Sequence, residues 1–164
     1  MRTIEGIPQV ITGLAYYPHI KVPTPNYQKT ANGYEINLAV SDDIFQKFKD
    51  AGFNTGIFEA GRRTYTEDAV VHFYQWEMNK KTGKPNEKPT LVDSDMAEIN
   101  EKHPLNDVKI GNGSKVAVQW RAANYGPNKE YKRPILEAVQ ILELEEYSPS
   151  GSVTLAFESA ETEI

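Results

Sequence analysis

The sequence predicts one mainly β domain with a single packing helix. Several stretches alternate apolar and polar residues with the period of a half-buried strand, and turns containing Gly or Pro separate them. Only one segment has the caps and the apolar stripe of an amphipathic helix. With 164 residues, of which 39% are hydrophobic, the chain can build one sizeable core but hardly two.

Composition narrows the class of protein further. No apolar run approaches the ~20 residues that a membrane span needs, and no basic and apolar signal segment opens the chain. We therefore expect no membrane partner. Cysteine is absent, which excludes disulfides and thiolate metal sites and suits a reducing cytoplasm.

The charges are segregated along the chain. The net charge is −5, yet residues 143–164 hold six of the 23 acidic residues and no Lys or Arg, which leaves 17 acidic against 18 basic residues before them. An acidic end on a near-neutral body with local basic clusters is typical of nucleic-acid-binding proteins whose tails imitate the charge of the ligand. A solvated acidic terminus would give the same pattern.

The first elements are two strands. Residues 11–20 are rich in β-formers, and Pro18 indicates an edge strand or a strand end because it cannot donate to a ladder. The prolines that follow predict an irregular connection, and Asn32-Gly33 predicts a turn. Residues 34–40 then alternate as a half-buried strand does.

The helix begins after Ser41, a good N-cap, and two aspartates suit the positive end of its dipole. Phe45 and Phe48 belong to its apolar stripe, and Gly52 is placed to end it. This pattern predicts a helix that packs on the core and carries no chemistry.

The next strand carries a row of aromatic rings. Within residues 70–78, alternate positions share one face: His72, Tyr74 and Trp76. Five cations flank this strand: Arg62, Arg63, Lys80, Lys81 and Lys84. If the face looks outward, it is a platform on which flat bases can stack. The alternative is that the rings belong to the core, where large aromatic side chains are commonly found.

Residues 90–92 predict a short strand, and residues 93–107 predict an acid-rich connection. Asp93, Asp95, Glu98 and Glu101 suggest a metal cluster, but their spacing fits no ligand scheme such as the calcium loop with its Gly and final Glu. We therefore predict no catalytic residue, no metal and no cofactor. A solvated loop or a short helix accounts for this composition.

The C-terminal third predicts a basic hairpin. A turn at residues 110–114 precedes a strand at 115–125, a loop at 126–134 and a strand at 135–147. Three cations are candidate phosphate contacts and two rings are candidate stackers: Arg121, Lys132, Arg133, Trp120 and Tyr125. Cations follow the phosphates of single-stranded nucleic acid, and rings stack on its bases without demanding a sequence. A solvated basic hairpin is the competing interpretation.

Short segments from both ends of the chain form a recognisable set. They are residues 17–23 and 34–38 near the N-terminus, and Ile110-Gly111-Asn112-Gly113-Ser114, Val116-Ala117-Val118-Gln119-Trp120 and Leu136-Glu137-Ala138-Val139-Gln140-Ile141 in the C-terminal third. These segments sample most of the chain. Together they resemble the replicative single-stranded DNA-binding proteins of tailed bacteriophages.

The resemblance implies an OB-fold, a five-stranded Greek-key barrel whose open face accepts an extended strand. It implies a single-stranded DNA-binding domain at residues 1–147 and an acidic C-terminal tail at residues 148–164. The tail is implied to contact replication proteins, such as the polymerase and the helicase-primase, and to compete with DNA for the groove. The cytoplasm of the infected bacterial host is the implied location.

The leading hypothesis is a non-enzymatic, sequence-tolerant single-stranded DNA-binding protein of phage replication and recombination. A metal-dependent nuclease or resolvase built on the acidic connection is the alternative, but His19, His72 and His103 are too scattered to indicate nucleophilic catalysis. A β-rich virion or adaptor protein that binds only proteins is a third hypothesis.

Overall fold

A computed structural model describes residues 6–25, 29, 31–53, 57–61, 67–125, 128 and 131–146 of the chain. The elements in chain order are β1 (Val10–Pro25), β2 (Asn32–Val40), α1 (Asp42–Asp50), β3 (Ile57–Phe58), β4 (Ala69–Trp76), β5 (Thr90–Val92), β6 (Ser114–Tyr125) and β7 (Tyr131–Glu143). The mainly β prediction is confirmed. No helix in the described ranges is long and apolar enough to cross a membrane.

Five of the strands close into a barrel. β1 pairs with β2 and β6, β2 with β4, and β6 with β7, all antiparallel. A parallel bridge between Tyr74 of β4 and Ile135 of β7 completes the ring. The strands therefore meet in the order β1-β2-β4-β7-β6-β1, the Greek-key connectivity of an OB-fold. The fold class implied by the sequence resemblance is confirmed.

The core follows from the alternation of the strands. Residues Val116, Val118 and Trp120 share the inner face of β6, and each is at most 1% exposed. Phe48 of α1 is fully buried against them, with its ring centroid 4.9 Å from that of Trp120. A fully buried Phe side chain contributes ~1.5–3 kcal/mol relative to an exposed one, so the helix is part of the barrel core.

The caps of α1 are those that the sequence predicts. The hydroxyl oxygen of Ser41 accepts the N–H of Ile44 at 3.3 Å. At the other end, Ala51 is the C-cap, and Gly52 follows with a φ of +87°, a conformation that favours glycine. The helix therefore begins and ends on local signals.

β1 does not end at Pro18. A register shift between Tyr16 and His19 places Tyr17 and Pro18 in a bulge, which absorbs the proline without a ladder hydrogen bond. The strand then runs to Pro25, so the irregular connection predicted after residue 20 is wrong up to that point. β7 likewise begins and ends four residues earlier than predicted.

The outer half of β1 forms a two-stranded arm with the start of β2. In the described pairings, β1 leaves β6 after Ala15 and continues with β2 alone. Lys21 ties this arm to the connection before β6, because its ammonium donates to the carbonyls of Leu105, Asn106 and Val108 at 2.6–2.8 Å. Burial lowers the pKa of Lys21, and the charge of Asp107 opposes that shift.

Asp93 organises the acid-rich connection. Its Oδ1 accepts the N–H groups of Asp95 and Ala97, each at 2.9 Å, and its Oδ2 lies 2.7 Å from Nε2 of His103. Nδ1 of His103 accepts the N–H of Leu105 at 2.9 Å, which assigns the ring proton to Nε2 and makes the ring a donor to Asp93. The His103 hydrogen bond, followed by those of the backbone, lowers the pKa of Asp93.

The carboxylate of Asp93 therefore holds a turn together. Across the described part of the chain, no three His, Asp or Glu side chains converge as a metal site requires. The nuclease hypothesis therefore has no ligand set among these residues.

The lowered pKa of Asp93 predicts a pH dependence of stability. An unfolded aspartate titrates near pH ~3.9, and the folded group titrates below that value. Its contribution to the free energy of unfolding is therefore present above the unfolded pKa and is lost as the pH falls through the folded pKa. Urea unfolding should show that Asp93→Asn is less stable than the parent protein at neutral pH and that the gap narrows below pH ~4. Asp95→Asn, an exposed acid in the same turn, is the matched control and should show no such narrowing; a gap for Asp93→Asn that is constant down to pH ~3 would contradict the prediction.

Candidate nucleic-acid interface

A row of aromatic rings lies on the outer face of the β2–β4 pair. Ile36 and Phe73 are fully buried in the core, so the residues that alternate with them face outward. The register joins three such outward pairs: Gly33 with Trp76, Glu35 with Tyr74, and Asn37 with His72. His72, Tyr74 and Trp76 are called the aromatic row below.

The rings of the aromatic row differ in exposure. Tyr74 is only 7% exposed, whereas His72 and Trp76 are half-buried. Trp76 meets Tyr74 edge to face, with centroids 4.7 Å apart and planes at 77°, and the His72 centroid lies 5.8 Å from that of Tyr74. Tyr74 therefore supports the other two rings, and these two offer the accessible surface.

Tyr74 lies against Gly33 on the neighbouring strand. A Cβ built at Gly33 would overlap the hydroxyl oxygen and the ring of Tyr74. The hydroxyl is buried and has no hydrogen-bond partner among the residues described. Burial, reinforced by the charge of Glu35, raises the pKa of Tyr74 to about 12, although Arg133 opposes the shift. The phenol is therefore neutral at physiological pH, and glycine is needed for its close approach to the sheet.

Two cations from distant parts of the chain meet at Trp76. Nζ of Lys80 lies 4.8 Å from the ring centroid, and Cζ of Arg133 lies 5.7 Å from it. Lys80 follows β4 and Arg133 is the third residue of β7, and the parallel bridge between these strands brings the two together. Both distances suit a cation–π interaction. The site thus unites residues from the two regions that the sequence predicts separately.

Lys81 follows Lys80 in the chain, and Arg121 is separated from Tyr74 by strand β7. Lys81 is exposed in a turn closed by the N–H of Gly83, which donates to the carbonyl of Asn79 at 2.8 Å. Arg121 is on the outward face of β6, opposite Ile135, with its Nε 3.8 Å from Oε2 of Glu137. A partly exposed ion pair of this kind contributes little, so it does not bar Arg121 from a phosphate.

Trp120 belongs to the core. It is 1% exposed, its Nε1 donates to the carbonyl of Pro8 at 2.8 Å, and its ring packs among those of Phe48 and Phe53. A stacking ring needs a free face, so the structure contradicts the prediction that Trp120 stacks on a base. The signal is in the sequence, because Trp120 shares its strand face with two valines.

Lys132 lies against the helix. Its Nζ donates to the carbonyl of Ala51 at 2.6 Å, at the C-terminal end of α1, where a cation complements the helix dipole. Neighbouring residues of a strand point to opposite faces, so Arg133 reaches the aromatic row and Lys132 does not. The structure gives Lys132 a role in holding the helix, and its predicted phosphate contact stays a prediction.

Some predicted site residues lie outside the part of the chain that the structure describes. Tyr125 ends β6 and its backbone pairs with Tyr131, but its side chain lies outside the described residues. Arg62 and Arg63 lie outside them as well, as does the tail at residues 148–164.

Sequence reasoning missed the contribution of β2. It assigns Gly33 to a turn, whereas β2 begins at Asn32, and it leaves Glu35 without a role. The alternation in residues 34–40 does place Glu35 opposite to the core-facing positions. The alternation does not show which strand pairs with β2, because no local pattern pairs β2 with β4.

Several solved structures of similar fold come from bacteriophages. The chain is similar to gp2.5, a single-stranded DNA-binding protein encoded by bacteriophage T7, with 20% identity and a TM-score of 0.60 over 96% of this chain and 95% of that one. It is also similar to the single-stranded DNA-binding protein from bacteriophage Enc34, alone (13% identity, TM-score 0.57, 90% and 87% covered) and in complex with ssDNA (15%, 0.58, 84% and 87%). No family model and no curated protein matches the chain. At these identities the likeness supports the fold.

The contact between Gly33 and Tyr74 predicts a coupled pair. Gly33→Ala should destabilise the protein by about 1–3 kcal/mol, because the added methyl group must displace the Tyr74 ring from a packed site. In a Tyr74→Ala background the same substitution meets no ring, so it should cost much less. A double-mutant cycle measured by urea unfolding tests this coupling, and additive costs would contradict it.

Proposed function

We propose that this protein binds single-stranded DNA with little sequence preference and protects it during phage DNA replication and recombination. The observation that carries this proposal is the meeting of partly exposed rings and cations at the junction of β4 and β7. Rings there supply stacking and cations supply phosphate contacts, and neither demands a particular base order. The proposal requires no chemical step.

The place of the aromatic row supports the proposal. In OB-folds, oligonucleotides bind across the face of the second and third barrel strands and between the loops that join strands one to two and four to five. Here those strands are β2 and β4, and they carry the aromatic row on their outer face. The two loops correspond to the connections β1–β2 and β6–β7.

The structural likenesses support the same ligand. Proteins of similar fold are named as phage single-stranded DNA-binding proteins, and one of them is described in complex with ssDNA. The infected host cytoplasm, where replicating phage DNA lies, is the location we propose. The acidic residues 148–164 are proposed to contact replication proteins there and to compete with DNA for the cationic face.

Trp76 is the principal candidate stacker. Trp76→Ala should weaken binding to oligo-dT by ~1–3 kcal/mol, which is about 5- to 150-fold, because one base loses its stacking partner. Fluorescence anisotropy at several salt concentrations measures this loss. Trp120→Phe removes the indole from the core and is the matched control, with affinity close to that of the parent protein at a temperature where both are folded.

The parent protein tests the proposal as a whole. Its affinity for oligo-dT should fall linearly with salt on a double-logarithmic plot and should exceed its affinity for duplex DNA of equal length. Binding that is absent, or that does not change with salt, would reject single-stranded DNA as the ligand and favour a protein-binding role.

Removal of residues 148–164 tests the tail separately. The truncated protein should bind oligo-dT more tightly than the full chain, and most clearly at low salt, because an acidic segment no longer competes for the cations. Equal or weaker binding by the truncated protein would show that the tail does not compete with DNA.

A further inference from the structure

We infer that Glu35 makes the aromatic row discriminate among bases, favouring a base with an exocyclic amino group over one with a carbonyl at the same position. The inference rests on the proposed function and deepens it by naming the edge of the base that the site reads. It concerns a modest preference within otherwise sequence-tolerant binding.

The register places Glu35 at the centre of the aromatic row. It lies directly opposite Tyr74, and residues so paired in an antiparallel ladder have Cβ atoms ~4.5–5.5 Å apart. His72 and Trp76 are its diagonal neighbours on β4. The two rings that offer accessible surface therefore flank this carboxylate on either side, and a base stacked on either ring has an edge near it.

The charge of Glu35 is unusual for its position. Lys80 and Arg133 approach the row as phosphate-binding groups would, whereas a carboxylate repels phosphate. The side chain is 24% exposed, and Oε2 lies 3.2 Å from Nε2 of His72. A partly exposed anion within a cationic, aromatic face is suited to contact the bases, which carry hydrogen-bond donors and no net charge.

The chemistry of the carboxylate decides which donors it accepts. An ionised carboxylate is an acceptor only, and its two oxygens together accept about four hydrogen bonds, so it can serve several donors at once. Cytosine presents an N4 amino donor and adenine an N6 amino donor, while thymine and uracil present the O4 carbonyl at the corresponding place. The carboxylate attracts the amino groups and repels the carbonyl.

Oligo-dC and oligo-dU of equal length provide the sharpest test, because neither base carries the methyl group of thymine. Cytosine has an amino group at position 4 and no proton on N3, whereas uracil has a carbonyl at position 4 and a proton on N3. The parent protein should bind oligo-dC about tenfold more tightly at slightly alkaline pH, since a hydrogen bond to a charged group is worth roughly this much. Glu35→Gln should bring the ratio of the two affinities close to one.

Glu143→Gln is the matched control. Glu143 is exposed at the end of β7, so this variant also loses one negative charge but leaves the aromatic row untouched. It should leave the ratio of oligo-dC to oligo-dU affinity unchanged. Thermal unfolding monitored by circular dichroism shows whether each variant is folded. The comparison of oligo-dC with oligo-dU in the parent protein tests the inference even if a variant does not fold.

The possible results separate the inference from the function on which it rests. Salt-dependent binding of both oligomers with equal affinity by the parent protein would overturn the inference and leave the proposed function intact. A preference for oligo-dC that survives Glu35→Gln would also overturn it. The same holds if Glu35→Gln raises the affinity for both oligomers by the same factor, because the ratio of the two affinities is then unchanged. Failure to bind either oligomer would overturn the proposed function itself.

Discussion

Closure of the barrel between β4 and β7 is the constraint on which the site depends. A single parallel bridge, between Tyr74 and Ile135, joins strands that are about 60 residues apart in the sequence. Because of it, Arg133 reaches the ring of Trp76, and the first half of the chain shares a surface with the last third. Without this closure, the aromatic row of β4 and Arg133 of β7 would lie on separate surfaces.

The sequence predicts well those features that local chemistry decides. Ser41 as N-cap and Gly52 just after the C-cap place the helix, and alternation places the inner face of β6. Prediction fails where a distant partner decides. Lys132 and Arg133 are adjacent cations that the sequence does not distinguish. Lys132 donates to the C-terminal end of α1 and Arg133 lies over Trp76, because neighbouring residues of β7 point to opposite faces. The burial of Trp120 could have been predicted, since Val116 and Val118 on the same strand face already indicate the core.

Local charge matters more for the site than net charge. The chain is acidic overall, but Lys80 and Arg133 converge on the ring of Trp76. Tyr74, which supports Trp76, has no charge to add because its pKa is about 12. Among the described residues, the fold thus brings two cations to Trp76 and places the carboxylate of Glu35 beside His72.

The two-stranded arm of β1 and β2 has a consequence for how such a chain can diverge. The bulge at Tyr17 and Pro18 lies where β1 parts from β6, and Lys21 pins the arm by three carbonyls beyond it. Residues added or lost at the tip of the arm, beyond this anchor, leave the pairing inside the barrel in register. Evolution can thus change the reach of this hairpin toward a ligand as an independent module, without refitting the core.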